Sequence, residues 1–198
     1  FIAWCKEQFP KKNYEKSNFI LQGLRGVKDP EEIAHIQQAC DITEKGFKRV
    51  LGFVKPGVWE FEIEAVFAHE FLRNRSKGFA YTPIIATGTN SNVLHYIENS
   101  QQCQAGELIL MDVGAEYGNY SSDMTRTIPV SGRFSPRQRA VYQAVLKVKD
   151  EATQLLMPGV LWKAYHIEVG KLMSSALIDL KLLTKNEVSE NAEAYKKY

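Results

Sequence analysis

Two stretches of the chain carry the same succession of polar and apolar signals. Asp29-Pro30-Glu31-Glu32 and Ser135-Pro136-Arg137-Gln138 each place a capping side chain first, proline at the first helical position, and Glu or Gln where a capping box needs it. Apolar residues then recur at helical spacing: Ile33, Ile36, Cys40, Phe47, Val50, Leu51 and Val54 after the first cap. Val141, Val145, Val148, Ala152, Leu155 and Leu156 do the same after the second. Each helix runs into a Pro-Gly breaker, Val54-Lys55-Pro56-Gly57-Val58-Trp59 and Leu156-Met157-Pro158-Gly159-Val160-Leu161. A further amphipathic helix follows each breaker, over about 60–73 and 162–180. Pro136 and Pro158 are closer in sequence than Pro30 and Pro56, by about one helical turn. The chain therefore reads as an internal repeat of a helix pair.

After its helices the first copy turns to β pattern. Pro83 to Ala86 is a short apolar run, followed by the turn-rich Thr87 to Asn92 and then by Val93-Leu94-His95-Tyr96, read as the return strand of a hairpin. Leu108 to Val113 and Tyr120 to Val130 form a second hairpin, joined through Gly118-Asn119. The second copy shows no such strands, since a polar stretch from Thr184 to Lys197 precedes Tyr198. The first repeat is placed at about 29–130 and a partial second repeat at about 135–198. Residues 1–24 match neither copy and read as the tail of a preceding domain.

The second hairpin carries the candidate chemistry. Asp112 stands inside an apolar run, where a solvated charge is out of place, and Asp123 falls on the next strand. A turn centred between Tyr117 and Gly118 makes them direct cross-strand neighbours on one face, with Cβ atoms about 5 Å apart. Opposed like charges need a shared proton, a basic partner or a bound cation. Arg126 belongs to the other face, while Ser121 and Thr125 share Asp123's face and are placed to support its carboxylate. A hard divalent cation held by carboxylate oxygens is the simplest remedy. The competing reading is a surface hairpin with two solvated aspartates, and a three-residue turn would send the carboxylates to opposite faces. His95 is a lone histidine distinguished by its polar company of Asn90, Tyr96, Glu98 and Asn99; His35, His69 and His166 lie in helical stretches and read as structural or surface residues.

Composition changes this picture little. The 198 residues are 44% hydrophobic and 24% charged, with a net charge of +2, which gives no electrostatic reason to expect a nucleic-acid or membrane partner. Three scattered cysteines, Cys5, Cys40 and Cys103, form no CxxC pair, so a reducing, cytoplasmic setting is expected rather than a disulfide framework. No apolar run is long enough to span a bilayer, and no signal peptide is seen. The chain begins at Phe1 and reads as a piece of something longer.

Three segments in order resemble the Xaa-Pro aminopeptidase and prolidase family: Asn90 to Tyr96 with Glu98-Asn99, Leu110 to Tyr117, and Ser122 to Thr127. The opening from Leu24 to Glu32 resembles the start of that family's catalytic domain, and the likeness runs from about 24 to 190. The resemblance implies an α+β pita-bread fold, two α-α-β-β units about a pseudo-twofold, here with the first half complete and the second cut after its helices. The partial catalytic domain is then 25–198.

The resemblance also implies a site and a reaction. Two divalent metals, commonly manganese with cobalt, zinc or iron as alternatives, are expected, with Asp112 binding one and Asp123 bridging both. His95 corresponds to the active-site histidine that contacts the substrate or the tetrahedral intermediate, and Tyr81 to a residue lining the substrate pocket. The other three ligands, a histidine and two glutamates, and a glutamate general base belong to strands of the second half; His166 and Glu187 stand in the wrong context for them. The expected reaction is hydrolysis of the bond between an N-terminal residue and a following proline, in a full-length homo-oligomer, with this chain alone silent. A prolidase-type dipeptidase is the neighbouring alternative. A metal-free pita-bread binding module, or a creatinase-like enzyme, would have no use for both aspartates, and the leading segment favours this branch over methionine aminopeptidase.

Overall fold

The computed structural model describes residues 1–198. The elements in chain order are α1 (Ile2–Gln8), α2 (Asn18–Gly26), α3 (Pro30–Leu51), α4 (Glu60–Arg73), β1 (Ile84–Thr87), β2 (Leu108–Val113), β3 (Glu116–Tyr117), β4 (Tyr120–Ser121) and β5 (Met124–Pro129). They continue with α5 (Pro136–Gln154), α6 (Trp162–Asp179) and α7 (Lys185–Glu190). Short 3-10 helices cover Gly88–Asn92 and Ala194–Lys197. Strands β1, β2 and β5 form one sheet in that order, and β3 pairs with β4.

The caps fall where the sequence puts them. Asp29 accepts from the Glu32 amide and Glu32 reaches back to the Asp29 amide, closing a capping box with Pro30 at the first turn of α3. Ser135 and Gln138 do the same for α5. These boxes satisfy amides that have no partner inside the helix.

The chain divides into two compact units: one of residues 1–54, 58–101 and 110–126, the other of 55–57, 102–109 and 127–198. In the first, α3 packs on α4, α3 also meets β3 and β4, and α4 meets β1. Its core holds Ile42, Val50, Ile63, Phe67, Phe71, Ile85, Met111 and Val113, all fully buried. Helices α1 and α2 contribute no buried residue. In the second unit α5 packs on α6, and the Tyr195 ring lies against Gly170 of α6. No strand follows α6.

The buried face of α3 differs from the stripe read from hydrophobicity. Ala39, Ile42, Thr43, Gly46 and Val50 face the core, whereas Ile33 and Leu51 are exposed. Gly46 is buried because the helix backbone comes close to α4: a Cβ there would stand 2.9 Å from the rings of both Phe67 and Phe71. Thr43 is buried because its hydroxyl has partners, Ser122 Oγ at 2.7 Å and the Ala115 amide at 2.9 Å.

One predicted strand is corrected. Val93-Leu94-His95-Tyr96 is a turn following the 3-10 helix, and His95 has φ 54°. Its place after the turn-rich Thr87 to Asn92 suggests a return strand, but Leu94 is 91% exposed and Tyr96 is drawn inward by its hydroxyl, not by a sheet face.

Candidate metal centre

The hairpin that carries the aspartates turns at Gly118-Asn119, both with positive φ (60° and 66°), the geometry a tight two-residue β-turn requires. Glu116 faces Ser121 and Tyr117 faces Tyr120. The Ser122 amide donates to the Ala115 carbonyl at 3.0 Å, in the same register. Continued along the strands, that register sets Thr125 opposite Asp112, and Asp123 opposite Gly114. The expected direct pairing of Asp112 with Asp123 is therefore corrected to a diagonal one. The displacement is an even number of residues, so both carboxylates keep one face. Asp123 also lies outside the strands, in the break between β4 and β5, and is exposed; Asp112 on β2 is half-buried.

The tip of the hairpin is fastened to α3. The Tyr120 hydroxyl donates to Glu32 at 2.6 Å and His35 stacks on the Tyr120 ring at 5.8 Å. Deeper in, the Ala115 amide is shared by Thr43 and Ser122 hydroxyls, each at 2.9 Å, and Ser122 donates on to the Ala115 carbonyl at 3.0 Å. Gly114 leaves room for this close approach, since a Cβ there would lie 1.9 Å from the Ser122 carbonyl oxygen.

Tyr81 links the two carboxylates. Residues 78–80 run antiparallel beside 114–116: the Ala80 amide donates to Gly114 at 2.8 Å and the Glu116 amide to Gly78 at 3.0 Å. This pairing carries Tyr81 over Gly114 and aims its hydroxyl at Asp112 (2.7 Å) and Asp123 (3.1 Å). Burial, reinforced by the hydrogen bond and negative charge of Asp112 and then by Asp123, pushes the phenol above its ordinary range. A phenol has one proton, so it can fully satisfy only one carboxylate at a time. Tyr81, rather than Ser121 or Thr125, thus supplies the supporting hydroxyl.

The donor set is two carboxylates converging on one point, all hard oxygen, which fits part of the shell of a divalent cation. The chain brings no third histidine, cysteine or acidic side chain into the group. His95 is exposed on its turn and makes no hydrogen bond to either aspartate. His166 packs against Trp162, and Glu187 is engaged with Thr184 and Lys197, so neither is a ligand here.

The pattern of metallopeptidase family M24 matches residues 34–195, and the chain belongs to that family. It is similar to the Xaa-Pro aminopeptidase of Haemophilus influenzae, 39% identical over 181 residues, covering 90% of this chain and 42% of that protein. The Escherichia coli Xaa-Pro aminopeptidase is 36% identical over 86% of this chain and 38% of its own length. Among solved structures, aminopeptidase P II of Yersinia pestis matches with a TM-score of 0.84 at 35% identity, over 89% of this chain and 41% of that one. A zinc-substituted Escherichia coli aminopeptidase P in complex with product matches with a TM-score of 0.81 at 35% identity, over 85% and 39%. The fold is thus the pita-bread architecture of aminopeptidase P. The chain spans about two-fifths of the length of these relatives. No helix is long and apolar enough to cross a membrane.

Proposed function

We propose that this chain is the part of an Xaa-Pro aminopeptidase that supplies two carboxylate ligands and a substrate-contacting histidine. The observation that carries the reading is the convergence of Asp112 and Asp123 on the Tyr81 hydroxyl, at 2.7 and 3.1 Å. Asp112 would hold one divalent cation and Asp123 would bridge two, manganese being the first choice for an oxygen-rich set. Cations held there by Asp112 and Asp123 would supply Lewis-acid chemistry, acidifying water and polarising a peptide carbonyl.

The chain's own residues do the rest. Asp112 and Asp123 fix the charge at the centre, and Tyr81 holds the Asp112 carboxylate in orientation through its hydroxyl. His95 offers a ring N–H to the oxygen on which negative charge develops, a contact that strengthens toward the transition state. The substrate is a peptide with proline in second position. Three free cysteines suit a reducing cytoplasm, and the full-length protein would be a homo-oligomer. By itself residues 1–198 should be silent, because two carboxylates make up only part of a dication's coordination shell.

The test is Asp123→Asn in the full-length protein, with bound manganese and hydrolysis of an Xaa-Pro peptide measured together. Loss of activity, with metal content reduced, is expected from removing a shared carboxylate. Near-normal turnover with metal still stoichiometric would contradict the role.

A further inference from the structure

Glu60, the first residue of α4, is a carboxylate with no exposed surface and a full set of donors. Its Oε1 accepts from the Thr87 amide at 2.7 Å and Asn90 Nδ2 at 3.4 Å. Its Oε2 accepts from the Tyr96 hydroxyl at 2.7 Å and the Gln101 amide at 2.8 Å. The Glu60 amide in turn donates to the Gln101 carbonyl at 3.0 Å. Every partner lies between Thr87 and Gln101, the segment that carries His95. One side chain therefore grips the start, the middle and the end of that segment.

The segment needs such a grip. His95 and Asn99 both adopt positive φ (54° and 45°), a conformation that costs a side-chain-bearing residue free energy and persists only when its surroundings enforce it. Asn99 is enforced directly: it accepts from the Ile85 amide at 3.0 Å and donates to Glu64 at 2.9 Å and to the Pro83 carbonyl at 3.1 Å. His95 has no such tie of its own. Its neighbour Tyr96 does, being buried with its hydroxyl bound to Glu60 and accepting from the Ser100 amide at 3.3 Å.

We infer that Glu60 is a positioning residue for His95, acting through Tyr96 and the clamped turn, without touching substrate or metal. The inference rests on the role proposed above for His95. An amide cannot replace this carboxylate. Its NH2 would face either the Thr87 amide or the Gln101 amide, both fixed backbone donors, so a donor meets a donor in either orientation.

The experiment is a double-mutant cycle in the full-length protein with manganese, reading kcat, KM and bound metal for Glu60→Gln, His95→Ala and the pair. Glu60→Gln should lower kcat about tenfold, and once His95 is already alanine it should have almost no further effect. Bound metal should stay at the wild-type level throughout. An equal loss in both backgrounds, unchanged kcat in Glu60→Gln, or loss of metal would overturn the inference while leaving the role of His95 standing. Near-normal turnover in His95→Ala would sink that role and the inference together. If Glu60→Gln does not fold, Tyr96→Phe removes the hydroxyl's ties to Glu60 and to the Ser100 amide and keeps the carboxylate's other three partners; it should show the same pattern with a smaller loss, and additivity with His95→Ala would again overturn the inference.

Discussion

Gly114 offers the sharpest test of how the hairpin that carries the aspartates is built. In Gly114→Ala the added Cβ would sit 1.9 Å from the Ser122 carbonyl oxygen, 2.8 Å from its carbonyl carbon and 3.0 Å from the Tyr81 ring. The φ of Gly114 is not positive, so the penalty is one of space alone. Carbon and oxygen settle at roughly 3.3 Å or more, so the two strands must part by more than an ångström. The obstacle is backbone, which cannot rotate away as a flexible side chain could. Ser122 is held by its amide and hydroxyl on the Ala115 carbonyl, both at 3.0 Å, and by Thr43 at 2.7 Å. Overpacking costs about 1–3 kcal/mol, and each buried hydrogen bond stretched out of range adds about 1. A loss of about 3–5 kcal/mol is expected, read as a drop in the urea midpoint at unchanged slope. Gly23→Ala is the control: it lies within exposed α2 with nothing near its Cβ, and should be neutral or stabilising by up to about 1 kcal/mol. If Gly114→Ala lost less than about 1 kcal/mol, the strands would be free to part and the reasoning would fail.

Three further outcomes are expected. Tyr81→Phe should cost about 1–2 kcal/mol of stability in metal-free buffer, because two carboxylates lose their common donor, and an unchanged melting curve would contradict the geometry. Glu187, held down to about 2 by the Lys197 ammonium and then by the Thr184 hydroxyl and amide, should contribute fully above about 4.5 and progressively less as pH falls toward 2. In Lys197→Ala a carboxyl NMR titration should find it moved up toward 4.5, and no movement would refute the assignment of cause. Arg49→Met leaves the Glu70 carboxylate, only 11% exposed, without its 3.0 Å guanidinium partner; about 1–2 kcal/mol should be lost in urea and largely recovered by adding Glu70→Gln.

The capped starts of α3 and α5 were legible because capping is local: Asp29, Pro30 and Glu32 decide it among themselves. Strand β2 was legible because Leu108 to Val113 is an apolar run, and Asp112 because its charge interrupts that run. The burial of α3 was misread because Gly46 and Thr43 face inward for reasons set elsewhere, the rings of Phe67 and Phe71 and the hydroxyl of Ser122. Glu60, and the place of Tyr81 between the two carboxylates, escaped for the same reason; the family resemblance put Tyr81 only at the substrate pocket. Their partners are remote in sequence, and no periodicity marks a hydroxyl that will sit between two carboxylates or a glutamate that will be wholly buried. The hairpin register failed by an even step, which is why a wrong pairing still gave the right face.

The single phenolic proton between Asp112 and Asp123 has a thermodynamic consequence beyond turnover. Without a cation, the folded chain carries a negative charge pair that one hydroxyl only half answers. An unfolded chain keeps those carboxylates apart and hydrated, so any cation seated at the pair binds the folded form in preference. At a hundredfold excess over its dissociation constant such an ion adds about 2.7 kcal/mol to folding, a large share of the 5–15 kcal/mol that holds a typical domain together. Metal scarcity would then be felt as fewer intact molecules and faster proteolysis, before any change in the rate at which the surviving ones work.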